Sequence, residues 1–235
     1  MEYIDRTVEK RLAGALARGR SVLLLGARQT GKTTLAQRLN PDLQWNFIRP
    51  DVRQRYERSP ELLAAEIESH PILPRGKLPL LLLDEVQRVP ELVNVVQDLI
   101  DRRAARFILT GSSARKLRRG RAANWLPGRL VPLRLDPLTL AERMPPTLEE
   151  SLLIGALPGI VSTADDASRE QDLQAYSTLY LEEEIRAEAL VRNLGQFPAF
   201  CNWLPRSPAA SATSAAWPRN LAAKSASVMG FRAWP

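Results

Sequence analysis

The chain has 235 residues, 45% hydrophobic and 25% charged, with 33 Lys+Arg against 26 Asp+Glu and a formal net charge of +7. Those proportions suit a folded chain with one sizeable core plus a smaller appendage, and they exclude both a disordered polyelectrolyte and two full domains. A lone cysteine, Cys201, excludes an internal disulfide and a cysteine-based zinc site, and the longest apolar runs fall far short of a membrane span.

The start, Met1-Glu2-Tyr3-Ile4-Asp5, has neither a basic opening nor an apolar h-region, so no secretory signal is expected and a soluble cytoplasmic protein is. Thr7 is placed to cap a helix whose apolar positions Val8, Leu12, Ala15 and Leu16 recur at helical spacing, and Gly19 ends it. An apolar strand, Ser21 to Leu25, then runs into Gly26-Ala27-Arg28-Gln29-Thr30-Gly31-Lys32-Thr33, and Thr34 continues as a helix. In this G-x-x-x-x-G-K-T spacing two glycines let the backbone wrap a phosphate with its N–H groups pointing inward. Lys32 brings a positive charge to the β- and γ-phosphates, Thr33 offers a hydroxyl to Mg²⁺, and the helix N-terminus adds partial positive charge. A plain glycine turn at a strand–helix junction is the bland alternative. The position between an apolar run and a helical pattern favours nucleotide binding through Gly26 to Thr34.

Asn40-Pro41 stops the next helix, and Trp45-Asn46-Phe47-Ile48 reads as a short second strand. Ser59-Pro60-Glu61 opens a helix over 61–69, which His70-Pro71 closes; the single histidine, beside a proline, is read as incidental. Leu78 to Leu83 is a continuous apolar run ending in Asp84-Glu85, as in a strand buried on both faces of a parallel sheet. An acid at such a strand end can hold Mg²⁺, which assigns Asp84, and Glu85 one residue on can orient and deprotonate an attacking water. Pro90 starts an amphipathic helix carrying Leu92, Val93, Val96, Leu99 and Ile100. Phe107-Ile108-Leu109 is a strand with Thr110-Gly111-Ser112-Ser113 at its tip; Ser112, with Thr110 second, is the candidate to reach a γ-phosphate, against an N-cap role.

Ten cations without an intervening acid span residues 102–134: Arg102, Arg103, Arg106, Arg115, Lys116, Arg118, Arg119, Arg121, Arg129 and Arg134. A solvated face is the plain reading; nucleic-acid phosphate or an arginine presented to a neighbouring subunit are the others. Leu130 to Leu135 is a fifth strand, and Asp136-Pro137 is expected to begin a short helix. Leu148 to Leu157 and a long stretch over 167–192 make a small helical subdomain, in which Glu182-Glu183-Glu184 reads as a solvated face. Residues 202–235 hold nine alanines, five serines, four prolines and three of the five tryptophans, with four cations and no acid. With no lasting period, this tail is expected to be disordered and to derive from out-of-frame translation.

Tyr3-Ile4-Asp5-Arg6, the Gly-Ala-Arg-Gln-Thr-Gly-Lys-Thr loop, Leu-Leu-Leu-Asp-Glu-Val-Gln at 81–87, Leu-Thr-Gly-Ser-Ser at 109–113 and Leu-Pro-Gly-Arg before Leu-Asp-Pro-Leu together resemble a prokaryotic AAA-like P-loop ATPase family over about residues 1–200. Its members usually carry a C-terminal DUF4143 domain. The resemblance implies an α/β three-layer sandwich, a five-stranded parallel sheet in the order 5-1-4-3-2 and ATP with Mg²⁺ at the strand ends. It implies an ATP-binding core over 1–140, a helical subdomain over 141–200 and an atypical tail over 201–235. By motif, Lys32 and Thr33 are the Walker A pair, Asp84 and Glu85 the Walker B pair, Ser112 the sensor, and Arg129 the contact to a γ-phosphate or a second subunit, hence a homo-oligomer. Family members continue into a winged-helix-like segment and a nuclease-like domain where this chain is expected to be truncated. An ATP hydrolase is the first expectation and a non-hydrolysing switch or DNA-binding module the second; no Asn-Lys-x-Asp guanine motif is present.

Overall fold

A computed structural model describes residues 3–70, 78–112, 128–145 and 147–177. The chain divides into a unit of residues 1–169 and a second from Glu170 onward. The tail over 202–235, Glu182 to Glu184, Leu126-Pro127 and the cations at 115–121 lie outside the described residues.

The elements of the first unit follow in chain order. They are α1 (Thr7–Ala17), β1 (Ser21–Leu25), α2 (Lys32–Arg38), β2 (Leu43–Asn46), α3 (Pro50–Arg58), α4 (Leu62–Ser69), β3 (Leu80–Asp84), a 3-10 turn (Val86–Arg88), α5 (Leu92–Asp101), β4 (Arg106–Gly111), β5 (Leu130–Arg134), α6 (Leu148–Ile154) and α7 (Pro158–Val161). A further helix, α8, covers Asp166–Ala175. The five strands are all parallel and lie side by side as β2-β3-β4-β1-β5, the order expected, read from the other edge.

Alternation along the strands builds two cores. Leu23, Leu81, Leu83, Phe107 and Leu109 face one way, onto Phe47, Tyr56, Leu63, Ile67 and the α5 stripe Leu92, Val93, Val96 and Leu99. Val22, Leu24, Leu80, Leu82, Ile108 and Leu133 face the other way, onto Val8, Leu12, Ala15 and Leu16 of α1 and Leu35 and Ala36 of α2. β3 is therefore apolar at every position before Asp84, because it is covered on both faces. Each fully buried leucine there contributes about 1.5–3 kcal/mol of transfer free energy.

Several boundaries differ from expectation. Thr7 is the first helical residue of α1 and Arg6 its N-cap; both the Thr7 N–H and hydroxyl go to Glu142 Oε1, at 2.7 and 2.9 Å. A carboxylate 135 residues away thus serves a donor that a local cap would serve. β2 sits two residues earlier, because Phe47 leaves the strand to pack edge-on against Tyr56, with ring centres 5.9 Å apart. No helix begins at Asp136-Pro137: the Asp136 carbonyl accepts from Arg6, and the Leu138 N–H donates to Ala156. Helix α3 has no counterpart in the sequence reading. Among the described residues no helix is long and apolar enough to cross a membrane.

Candidate nucleotide site

Three strand ends meet at one edge of the sheet. β1 leads into the glycine loop, β3 ends on Asp84, and β4 carries Thr110 and Gly111 at the same level, with Leu25 paired to Gly111 and Leu83 to Leu109. The path of the loop is set by its two glycines. A Cβ on Gly26 would lie 2.1 Å from the Leu135 carbonyl oxygen, so only glycine lets the end of β5 cross there. Gly31 takes a left-handed φ of 91° to turn the loop into α2. Within the loop the Thr30 hydroxyl donates to the Ala27 carbonyl at 2.9 Å, and the buried Lys32 ammonium donates to Gly26 and Ala27 at 2.9 and 2.7 Å. Ala27 and Gln29 are exposed at the crest, with Gln29 at φ 63°, Arg28 is half-buried, and Thr34 is exposed on α2.

The acid end of β3 faces Thr33. The Thr33 hydroxyl lies 3.0 Å from both Asp84 carboxylate oxygens, and the buried Thr110 hydroxyl donates to Asp84 Oδ1 at 2.5 Å. The same Thr110 oxygen accepts from the Glu85 N–H at 3.0 Å. Glu85 itself is left-handed, at φ 58° and ψ 43°, and starts the 3-10 turn that carries Gln87. Gln87 Nε2 donates to Glu85 Oε2 and, at 3.2 Å, to the Ser112 hydroxyl. Glycine loop, Thr33, Asp84, Glu85 and Ser112 are therefore one constellation.

Two cavities flank it. One of about 220 Å³ opens beside Thr33 and Asp84 and runs to Trp45, Asn46, Arg49 and Val52. Another of about 210 Å³ is walled by Tyr3, Ile4, Gly31, Thr34, Leu138 and Pro158. Burial and a hydrogen bond to Glu9 push the Tyr3 phenol up to about 12, so it stays neutral, with the Arg38 guanidinium 3.8 Å over its ring.

The back of the loop is held by an ion pair. Arg6, its side chain 5% exposed, sits 3.2 Å from the Glu142 carboxylate, itself 3% exposed, and donates to the Thr30 and Asp136 carbonyls at 2.7 and 2.5 Å. Because a trans peptide points its C=O and N–H in opposite directions, fixing the Thr30 oxygen against Arg6 turns the Gly31 N–H to the opposite side. Burial works against the ionised Glu142, but N–H bonds from Thr139 and Thr7, the Thr7 hydroxyl and the Arg6 charge hold it down at about 2.

Arg129 lies elsewhere. It precedes Leu130, which pairs with Ser21 at the far end of β1, four strand residues or about 13 Å from the loop. There it makes a two-point ion pair with Asp101, at 2.6 and 2.9 Å, which raises its own proton affinity and lowers that of Asp101. It does not face the glycine loop of its own chain. Other described cations of the basic stretch are also engaged: Arg102 with Glu68 and Asp98, Arg106 with the Leu16 and Leu78 carbonyls, Arg134 with Asp136.

Sequence reasoning passed over Gln87, Arg6 and Glu142 as site residues. A glutamine two positions after the paired acids was a visible signal for Gln87; nothing local could join residues 6 and 142.

The AAA_14 family model, an AAA domain, matches residues 18–144, more than half of the chain. The chain belongs to this AAA domain family. It is 29% identical over 185 residues to uncharacterized proteins Mb2031c of Mycobacterium bovis and Rv2008c of Mycobacterium tuberculosis, a match covering 77% of this chain. The match spans only 39% of the length of those relatives. The crystal structure of Cdc6p from Pyrobaculum aerophilum overlaps at a TM-score of 0.40 and 17% identity, over 60% of this chain and 49% of that one. The AAA domain is a P-loop fold, and its glycine loop lies wholly inside the matched residues.

The donor set of this AAA domain fits Mg²⁺. Thr33 and Asp84 offer hard oxygens side by side, and no group of three or more His, Cys, Asp or Glu among the described residues could cage a metal alone. An ion there would draw its other ligands from phosphate and water, as Mg²⁺ does.

Proposed function

We propose that this AAA domain binds ATP with Mg²⁺ and hydrolyses its β–γ phosphoanhydride, the cycle acting on a partner or a further domain. The reading rests above all on the Asp84–Thr110–Glu85 arrangement at the open side of the glycine loop: a buried acid beside the loop threonine, and a second acid held one residue further out.

The residues divide the work. Backbone N–H groups of Gly26 to Thr33 receive the phosphates, and Lys32, whose ammonium already lies over the loop carbonyls, takes the β- and γ-phosphate charge. Thr33 and Asp84 would hold Mg²⁺, which would supply positive charge to the phosphates when bound. Glu85 accepts a proton from water as the water oxygen bonds to the γ-phosphorus, the bond to the bridging oxygen breaks, and ADP leaves with that electron pair. Ser112, bonded through Gln87 to the same cluster as Glu85, is assigned to meet the γ-phosphate. The cavity beside Gly31 and Thr34 suits the base: its walls include Tyr3, Ile4, Leu138 and Pro158 with Arg6 and Ser162, and among the described residues no carboxylate to read guanine. In this reading residues 1–140 are the catalytic core and 141–200 a helical subdomain, of which residues 178–200 lie outside the described residues. Arg129 serves a second copy of the chain only if it exchanges Asp101 for that copy's phosphate. The ion pairs on Arg102, Arg129 and Arg134 put nucleic acid behind ATP as a ligand.

Phosphate release from ATP, measured with and without Mg²⁺, tests the proposal. Wild type turns over, Glu85→Gln binds without turnover and Lys32→Ala fails to bind. Wild type that binds ATP tightly yet releases no phosphate overturns hydrolysis in favour of a nucleotide switch.

A further inference from the structure

Gln87 has no role in the scheme above, yet it touches two of its members. It sits in the 3-10 turn behind Glu85, and its amide nitrogen reaches both Glu85 Oε2 and the Ser112 hydroxyl. The amide oxygen is buried without a hydrogen-bond partner. It lies over Gly111, where a Cβ would come within 2.8 Å of it. The orientation of the amide is fixed by chemistry: turned over, its oxygen would face the Glu85 carboxylate, acceptor against acceptor. An apolar side chain could fill this space without burying an orphaned acceptor, which is destabilising. What a glutamine adds is the pair of bonds from its nitrogen.

We infer that Gln87 is a positioning residue that ties the tip of β4 to the Glu85 carboxylate. It engages Oε2, so that the carboxylate is registered against Ser112 instead of sweeping through its rotamers. A Cβ at Gly111 would push this amide from its place. The inference rests on the reading of Glu85 as the group that activates water. A holder of this kind acts on the reacting geometry and not on nucleotide affinity.

Two measurements on the full chain decide it. Gln87→Met keeps length and removes the donor, and Gln87→Ala removes the whole contact. Both leave the Kd for a slowly hydrolysed ATP analogue within about twofold of wild type and lower kcat roughly tenfold to a hundredfold, while Gln87→Met, which buries no orphaned acceptor, melts no lower than wild type. In ¹⁵N-labelled chain, the side-chain amide signals that vanish in Gln87→Met shift in both Glu85→Ala and Ser112→Ala. Turnover of Gln87→Met at the wild-type rate, equal losses in affinity and turnover, or amide signals indifferent to both neighbours overturn the inference. If wild type hydrolyses no ATP, it is the hydrolase reading that fails, and the amide shifts alone decide whether Gln87 links Glu85 to Ser112.

Discussion

Replacing Glu142 by glutamine tests whether one distant carboxylate holds the back of the glycine loop. In the wild type Glu142 accepts from Thr7 N–H and hydroxyl at 2.7 and 2.9 Å and from Thr139 N–H at 3.0 Å, and pairs with Arg6 at 3.2 Å. Glutamine keeps the shape but can present only one oxygen. If that oxygen faces Thr7, its NH₂ confronts the Thr139 N–H and the Arg6 guanidinium, donor against donor. Arg6 is then a buried cation without a counter-charge, and breaking such a pair from one side costs about 3–5 kcal/mol. A domain of ordinary stability has about 5–15 kcal/mol in total, so the urea midpoint should fall by about a fifth or more at an unchanged m-value. Arg6→Met combined with Glu142→Leu should be less destabilised than Glu142→Gln alone, since no charge is left buried. The pH dependence has a definite sign. A carboxylate lowered to about 2 contributes stability in full above its usual value near 4.5, and loses it as pH falls through 2. That amounts to a term on the order of 3 kcal/mol. The gap between wild type and Glu142→Gln should therefore narrow between pH 4.5 and 2. A Glu142→Gln unfolding free energy within about 1 kcal/mol of wild type at pH 7, or a gap independent of pH, refutes the argument.

Gly26→Ala places its methyl against the Leu135 carbonyl, a backbone atom that cannot swing aside. We expect a stability loss of about 1–3 kcal/mol and weakened nucleotide binding, read by melting and by titration with a fluorescent nucleotide; wild-type affinity would show that the crossing of β5 is not fixed. Thr110→Val is nearly isosteric but removes the donor to Asp84 and the acceptor for Glu85 N–H. It should destabilise by about 1–3 kcal/mol and reduce turnover, and an unchanged melting curve would mean the hydroxyl bridges nothing.

What could be read in the sequence was whatever a short stretch of backbone decides. The glycine loop and the Asp84–Glu85 strand end have spacings set by a strand–turn geometry, so pattern alone located them. The order of the strands came from resemblance, because periodicity says which residues are buried and not which strand lies beside which. Helix α3 was illegible for a local reason: Val52-Arg53-Gln54-Arg55-Tyr56-Glu57-Arg58 buries only Tyr56, leaving no apolar period to count. β2 was displaced for a tertiary one. Phe47 has strand propensity, yet its ring is fully buried against Tyr56 beyond the end of the strand. Arg6 and Glu142 are ordinary surface residue types in sequence, and only the fold makes them a buried pair.

The backbone also separates two kinds of strain. Four non-glycine residues among those described have positive φ: Gln29, Asn40, Glu85 and Arg103. Asn40 and Arg103 follow the ends of α2 and α5, donating to Gln37 and Ile100, and a left-handed residue is a usual way to finish a helix. Gln29 and Glu85 finish no helix; Gln29 lies on the glycine loop and Glu85 at the end of β3 beside it. Such a conformation costs on the order of 1–3 kcal/mol and persists only where its surroundings hold it. At Glu85 the holder is identifiable: the Thr110 hydroxyl takes its N–H while donating to Asp84. Thr110 is 0% exposed, a position where valine would pack equally well. The hydroxyl is explained by those two bonds, which fix Asp84 and the strained Glu85 with a single atom.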